Sequence, residues 1–192
     1  MWRRSATCLS SVLLLAACGG GNSSHVLGAD GHIGPLHVDR SDRAAVVAYA
    51  GRPDAEGNGR EPGYFPYHAL GYDCAAKARG FTLRVPAGGP YCRTVFFFDR
   101  RSGKLETFST SSPEYSERHG VRVGMKQAQA ERLLHERLIA GCTAALHFES
   151  RTGSLTISFG GGIEHGTSIK GAHVDGFVVH GHRRDAGIFD CL

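Results

Sequence analysis

Two stretches about 85 residues apart constrain this chain more than any other feature in it. Ile33-Gly34-Pro35-Leu36-His37-Val38-Asp39-Arg40-Ser41 and His119-Gly120-Val121-Arg122-Val123-Gly124-Met125-Lys126 each read as a short extended segment, a turn and a helix start. Strand-like sequence follows both. A helix placed ahead of antiparallel strands, used twice, predicts an α+β class. The expected architecture is two tandem helix-plus-antiparallel-sheet units packed as one compact body, the first over 31–115 and the second over 116–192.

In the first unit Val46, Val47 and Ala50 follow Arg43 at the spacing of one helical face, with Ser41 or Asp39 as N-cap and Gly51 and Pro53 as the stop. Residues 52–66 are rich in Gly and Pro and read as an irregular loop with a turn at Asn58-Gly59. Tyr67 to Tyr72 reads as a strand ending near Cys74. Segments 92–98 and 104–110 flank Asp99-Arg100-Arg101-Ser102-Gly103 as a hairpin. In the second unit Ala130, Leu133, Leu134 and Leu138 share a helical face opposite Glu131, Arg132, His135 and Glu136, with Gly141 ending the helix. Residues 145–149 and 154–159 flank Arg151-Thr152-Gly153 as a second hairpin, and 176–180 is a further strand.

The N-terminus gives an address. Arg3 and Arg4 precede a short apolar run through Val12, Leu13, Leu14 and Leu15, then Ala16, Ala17 and Cys18, the layout of a secretory signal. The run is shorter than the roughly 20 apolar residues a membrane span needs. Leu15-Ala16-Ala17-Cys18 resembles the lipobox of bacterial lipoproteins. That resemblance implies removal of residues 1–17, acylation of Cys18 and a lipid anchor on the extracytoplasmic face of a membrane in the cell envelope. Residues 18–30, with Gly19, Gly20, Gly21, Asn22, Ser23 and Ser24, read as a flexible tether.

Cys74, Cys92, Cys142 and Cys191 remain beyond the signal, and an even count in an exported chain reads as two disulfides. Three pairings are open. Cys74 with Cys92 and Cys142 with Cys191 is preferred, because each bridge then stays in one half. A four-thiolate zinc site is the alternative, without any C-x-x-C pair to support it. Loss of Arg3 and Arg4 takes the formal charge from +4 to +2, and no Lys/Arg run exceeds two residues. Such a balance argues against nucleic acid as a partner.

The helix entry Val121-Arg122-Val123-Gly124-Met125-Lys126-Gln127-Ala128, and more loosely Gly34-Pro35-Leu36-His37-Val38, resemble the xGMTxxxV entry of two related groups. One is the secreted β-lactamase inhibitor proteins, which carry two tandem helix-helix-sheet units with one disulfide each. The other is the SmpA/OmlA-type lipoproteins of outer-membrane assembly, which carry one such unit behind a lipobox. The likeness spans most of the mature chain as architecture and about a dozen residues as motif. Asp39-Arg40 stands where the pattern has Gly-Met, and Ala130 where it has a branched apolar residue. The resemblance implies a non-enzymatic role in protein binding or as a scaffold, and carries over no contact residue.

Other motifs bear on chemistry. His165, His173, His180 and His182 gather near the C-terminus, and on a strand His180 and His182 share a face that can reach one ion, which makes a metal-binding lipoprotein an alternative. His135-Glu136 fails as a zinc-protease motif because Ile139 stands where the second histidine is needed. Gly160-Gly161-Gly162 has no following Lys-Ser/Thr and reads as a passage between elements rather than a phosphate cradle. No G-x-S-x-G elbow occurs, so an envelope hydrolase would rest on residues that only the fold assembles. Phe96, Phe97 and Phe98 read as a buried strand, with Phe97 marking a partner surface if one sheet face is open. Tyr64, Phe65, Tyr67 and Tyr72 are the candidate aromatic surface for a partner. The expectation is a non-enzymatic envelope lipoprotein with no cofactor, contacting lipid through Cys18 and another envelope protein through its folded part.

Overall fold

A computed structural model describes residues 25–60, 66–74, 92–136, 145–160 and 171–181. The fold is sheet-rich, with two helices. Its elements begin with the short strands β1 (Val26–Leu27), β2 (His32–Ile33) and β3 (Leu36–His37), then helix α1 (Arg43–Ala50). Next come β4 (Ala55–Arg60), β5 (Pro66–Cys74), β6 (Cys92–Asp99), β7 (Leu105–Thr110) and β8 (Ser116–Glu117). Helix α2 (Gln127–Leu134) precedes β9 (Ala145–Glu149), β10 (Gly153–Gly160) and β11 (His173–Gly181). A small sheet has the order β3-β2-β1-β8, and a seven-stranded sheet the order β4-β5-β6-β7-β11-β10-β9.

Every pairing in the large sheet is antiparallel. Alternation along β6 sends Phe96 and Phe98 into the main core with Leu70, Phe108 and Phe177. Val95 and Phe97 point the other way and pack with Tyr67 and Ala69. Phe97 is only 8% exposed, so it is not a surface residue. Two bulges adjust the pattern. Between β6 and β7, Phe97 faces Thr107 and Phe98 faces Leu105, leaving Glu106 as the extra residue. Between β10 and β11, Ser158 faces Gly176 and Phe159 faces Val174, leaving Asp175 extra. Each bulge brings residues three apart, Leu105 with Phe108 and Val174 with Phe177, into the same core.

The helices enter alike. The Asp39 N–H donates to the Leu105 carbonyl and the Leu105 N–H to the Ser41 carbonyl; likewise the Gly124 N–H donates to Val174 and the Val174 N–H to Met125. Asp42 bridges to Lys104 and Lys126 to His173. Asp39 (φ 64°) and Gly124 (φ 85°) both turn through the left-handed region. Each helix has one fully buried residue, Val46 in α1 and Ala130 in α2. On the exposed side of α1, the Arg43 guanidinium grips Glu56 of β4 with two hydrogen bonds of 2.9 and 2.8 Å.

Several expectations from the sequence need correction. Residues 55–60 are an edge strand rather than part of a loop, and Asn58 and Gly59 pair with His68 and Tyr67 instead of turning. Ladder bonds use only the backbone, so weak strand formers are accepted at an edge. The N-cap of α1 is Asp42, whose Oδ1 accepts the Ala45 N–H at 3.0 Å. Asp39 cannot serve, because its positive φ excludes the extended backbone a cap needs. Helix α2 stops at His135, which takes φ 55°, rather than running to Gly141. Leu133 on α2 is 37% exposed, so the supposed apolar face is not a continuous buried stripe. Residues 25–30, read as the end of a tether, contain β1 and the turn into β2, because Val26 and Leu27 pair in parallel with Ser116 and Glu117. Leu138 and Gly141 lie outside the described residues.

Candidate functional site: an aromatic cleft beside a disulfide

The end of the large sheet where β5 finishes and β6 begins is tied by a disulfide between Cys74 and Cys92, which face each other in the strand register. Beside it opens a cleft of about 320 Å³. Tyr49 and Ala50 reach it from the end of α1, Tyr72 and Asp73 from the end of β5, and Arg93 and Thr94 from the start of β6. The segment after β7 contributes Ser112 to Tyr115, and His25 closes it from the first described residue.

Aromatic rings connect the walls. His25 meets Tyr115 edge-on at 5.0 Å and lies 5.9 Å from Tyr49. Tyr115 packs on Phe108 at 5.0 Å, Phe108 on Phe96 at 4.9 Å, and Phe96 on Tyr72 at 5.6 Å. Centroid separations of this size favour tilted and edge-to-face packing, so the rings brace one another through the core. The polar groups are largely engaged within the fold. The Tyr115 hydroxyl donates to that of Tyr49, and the Tyr72 hydroxyl donates to the Gly51 carbonyl at 3.2 Å. Thr94 and Thr110 hydroxyls lie 2.8 Å apart, and Thr110 Oγ1 also accepts the Ser112 N–H.

Burial is the leading cause that holds the Tyr115 phenol far above the ordinary tyrosine range, and its hydrogen bond to Tyr49 and the Glu114 carboxylate push the same way. Burial also raises Tyr49 and Tyr72; the hydrogen bond from Tyr115 opposes the first and the Arg43 charge the second. The three phenols therefore remain neutral at physiological pH. Arg93 Nε stands 3.4 Å from Asp73 Oδ2 at the rim, with both side chains more than half exposed. Glu114 is exposed on the other side and makes no ion pair with a described residue. Asp73, Glu114 and Arg93 together leave the lining with one excess negative charge.

Of the residues singled out from the sequence, Cys74 and Cys92 are joined and Tyr72 lines the cleft. Tyr67 is 5% exposed and packs edge-on against Phe97 at 5.3 Å, so it does not offer a partner surface. His173 is exposed at the start of β11 and His180 is buried near its end, so the strand separates them. Among the described residues no group of three His, Cys, Asp or Glu is placed to hold a metal. Cys18, Tyr64, Phe65, Cys142, His165, His182 and Cys191 lie outside the described residues. His25, Tyr49, Asp73, Arg93, Glu114 and Tyr115 carried no local motif; the only hint was that Asp73 and Arg93 each adjoin a cysteine of the bridge. No family model, curated protein or solved structure matches the chain.

Proposed function

We propose that this chain is an envelope lipoprotein, anchored through acylated Cys18, whose folded part is a tandem pair of helix-plus-sheet units acting as a non-enzymatic protein-binding or scaffold module. The observation that carries the reading is Leu15-Ala16-Ala17-Cys18 behind a basic and apolar leader, with folded sequence beginning only a few residues later at His25. An extended chain covers at most about 3.6 Å per residue, so the link from Cys18 to His25 holds the aromatic cleft within about 25 Å of the lipid.

The tandem reading is supported by the matched helix entries, by the matched bulges at Glu106 and Asp175, and by the strand pair between the halves. There Phe108 faces Val179, Ser109 faces Val178 and Thr110 faces Phe177. Exchanging Phe108 with Phe177 and Thr110 with Val179 maps that pairing onto itself, as a pseudo-two-fold axis through Ser109 and Val178 requires. Repeated units joined by pairing one strand from each half bury the edge that either would otherwise expose.

Replacing Cys18 with Ser tests the anchor: the variant keeps its fold and leaves the membrane fraction, and retention there overturns the anchor. Affinity capture from native membranes with the wild-type chain tests the module. Specific enrichment of an envelope protein is expected, and its absence removes the scaffold reading.

A further inference from the structure

The cleft has a chemistry of its own, independent of the anchor and of any protein partner. Its Tyr115, Tyr72 and Thr94 hydroxyls are already hydrogen-bonded within the fold, so these residues offer a ligand mainly ring surface. Aromatic faces carry negative electrostatic potential and attract cations. Glu114 adds a carboxylate at the rim with no cationic partner among the described residues, while Arg93 is occupied by Asp73. A sugar would need several free hydrogen-bonding groups that this lining does not supply. An anion would meet two carboxylates against a single paired guanidinium. The cleft volume of about 320 Å³ lies at the small end of ligand sites. A quaternary ammonium satisfies all these conditions, since it has no N–H to hydrogen-bond and gains from rings and a nearby carboxylate.

We propose that the cleft between Tyr49, Tyr72 and Tyr115, with Glu114 at its rim, binds a small free quaternary ammonium ion. The same trimethylammonium group also occurs on lipid headgroups, where a phosphate accompanies it. Asp73 and Glu114 disfavour that phosphate, which assigns the site to the free cation.

The test is titration of the full chain in a maltoside detergent, with the tyrosine rings isotopically labelled and followed by nuclear magnetic resonance. The probes are tetramethylammonium, choline, phosphocholine, the neutral isostere 3,3-dimethylbutan-1-ol and N-acetylglucosamine. Saturable shifts at Tyr49, Tyr72 and Tyr115 are expected with tetramethylammonium and choline, with the isostere about tenfold weaker or worse. Glu114→Gln, an exposed change, should weaken choline about threefold or more while thermal unfolding stays the same. Phosphocholine should bind more weakly than choline. Equal binding of the isostere reduces the site to an apolar hollow and overturns the proposal, as does unchanged choline affinity in Glu114→Gln. Tighter binding of phosphocholine transfers the site to a lipid headgroup, and saturation by the saccharide alone transfers it to a carbohydrate; either result overturns the free-cation assignment.

Discussion

Asp39 and Gly124 hold the same place in their two helix entries, yet only one of them is a residue that takes a positive φ without strain. The ends of the helices differ in the opposite sense. Helix α1 begins with Asp42 accepting a backbone N–H and stops at Gly51, whereas α2 begins at Lys126, which makes no side-chain cap, and stops at His135 in the left-handed region. The first half also has the Cys74–Cys92 bridge and a buried Val46 where the second has Ala130. One backbone path is thus reached with two different sets of local signals. Geometry common to both halves comes from pairing between distant strands, and local chemistry sets how firmly each half is held.

The largest test of that difference is the disulfide. Replacing Cys74 and Cys92 with Ser should lower stability by about 3 kcal/mol in the loop-entropy account, read by denaturant unfolding. Hydrogen exchange should quicken first in β5 and β6; equal quickening in β9 and β10 would mean that the bridge does not distinguish the halves. Exchanging the buried helix residues comes next. Val46→Ala should destabilise by about 2 kcal/mol through lost burial and a cavity, and Ala130→Val by roughly 1–3 kcal/mol through overpacking. A neutral Ala130→Val would show spare room in the second half and break the comparison there.

Smaller gains should come from repairing α2. Lys126→Ser supplies a capping hydroxyl and His135→Gly removes the left-handed penalty, each raising stability by about 1 kcal/mol in thermal unfolding. The smallest effect is with pH. The hydrogen bond from the Ala45 N–H holds the Asp42 carboxyl below the ordinary aspartate range. A lowered folded-state value means that the cap stabilises above the unfolded value and is lost as pH falls through the folded one. Exchange at the Ala45 amide should therefore quicken in acid, Asp42→Asn should abolish that dependence, and the Gln129 amide of α2 should show none of it.

The sequence was most legible where signals are local. The 99–103 turn between β6 and β7, the Arg151-Thr152-Gly153 turn between β9 and β10, and both helix entries rest on turn residues and short periodicities. The edge strand β4 was hidden, because Ala-Glu-Gly-Asn-Gly-Arg has little strand propensity and pairs only through a backbone that β5 presents. The early end of α2 was hidden too, since Leu133 and Leu134 resemble a core face until neighbouring elements determine what is covered. The cleft was the least legible feature. His25, Tyr49, Tyr72, Arg93 and Tyr115 come from five separate segments, and only long-range pairing brings their side chains to one place.

The parallel pairing of β1 with β8 also sets an order of events. Val26 needs Ser116 as its neighbour, so the strand nearest the N-terminus has no partner until about 90 further residues have been made. Closing a loop that long is entropically slow, and the pairing gained spans only two residues. The first folded residue to leave the ribosome is therefore among the last to find its place, and the His25 wall of the cleft is completed only when the rest of the fold is there to receive it.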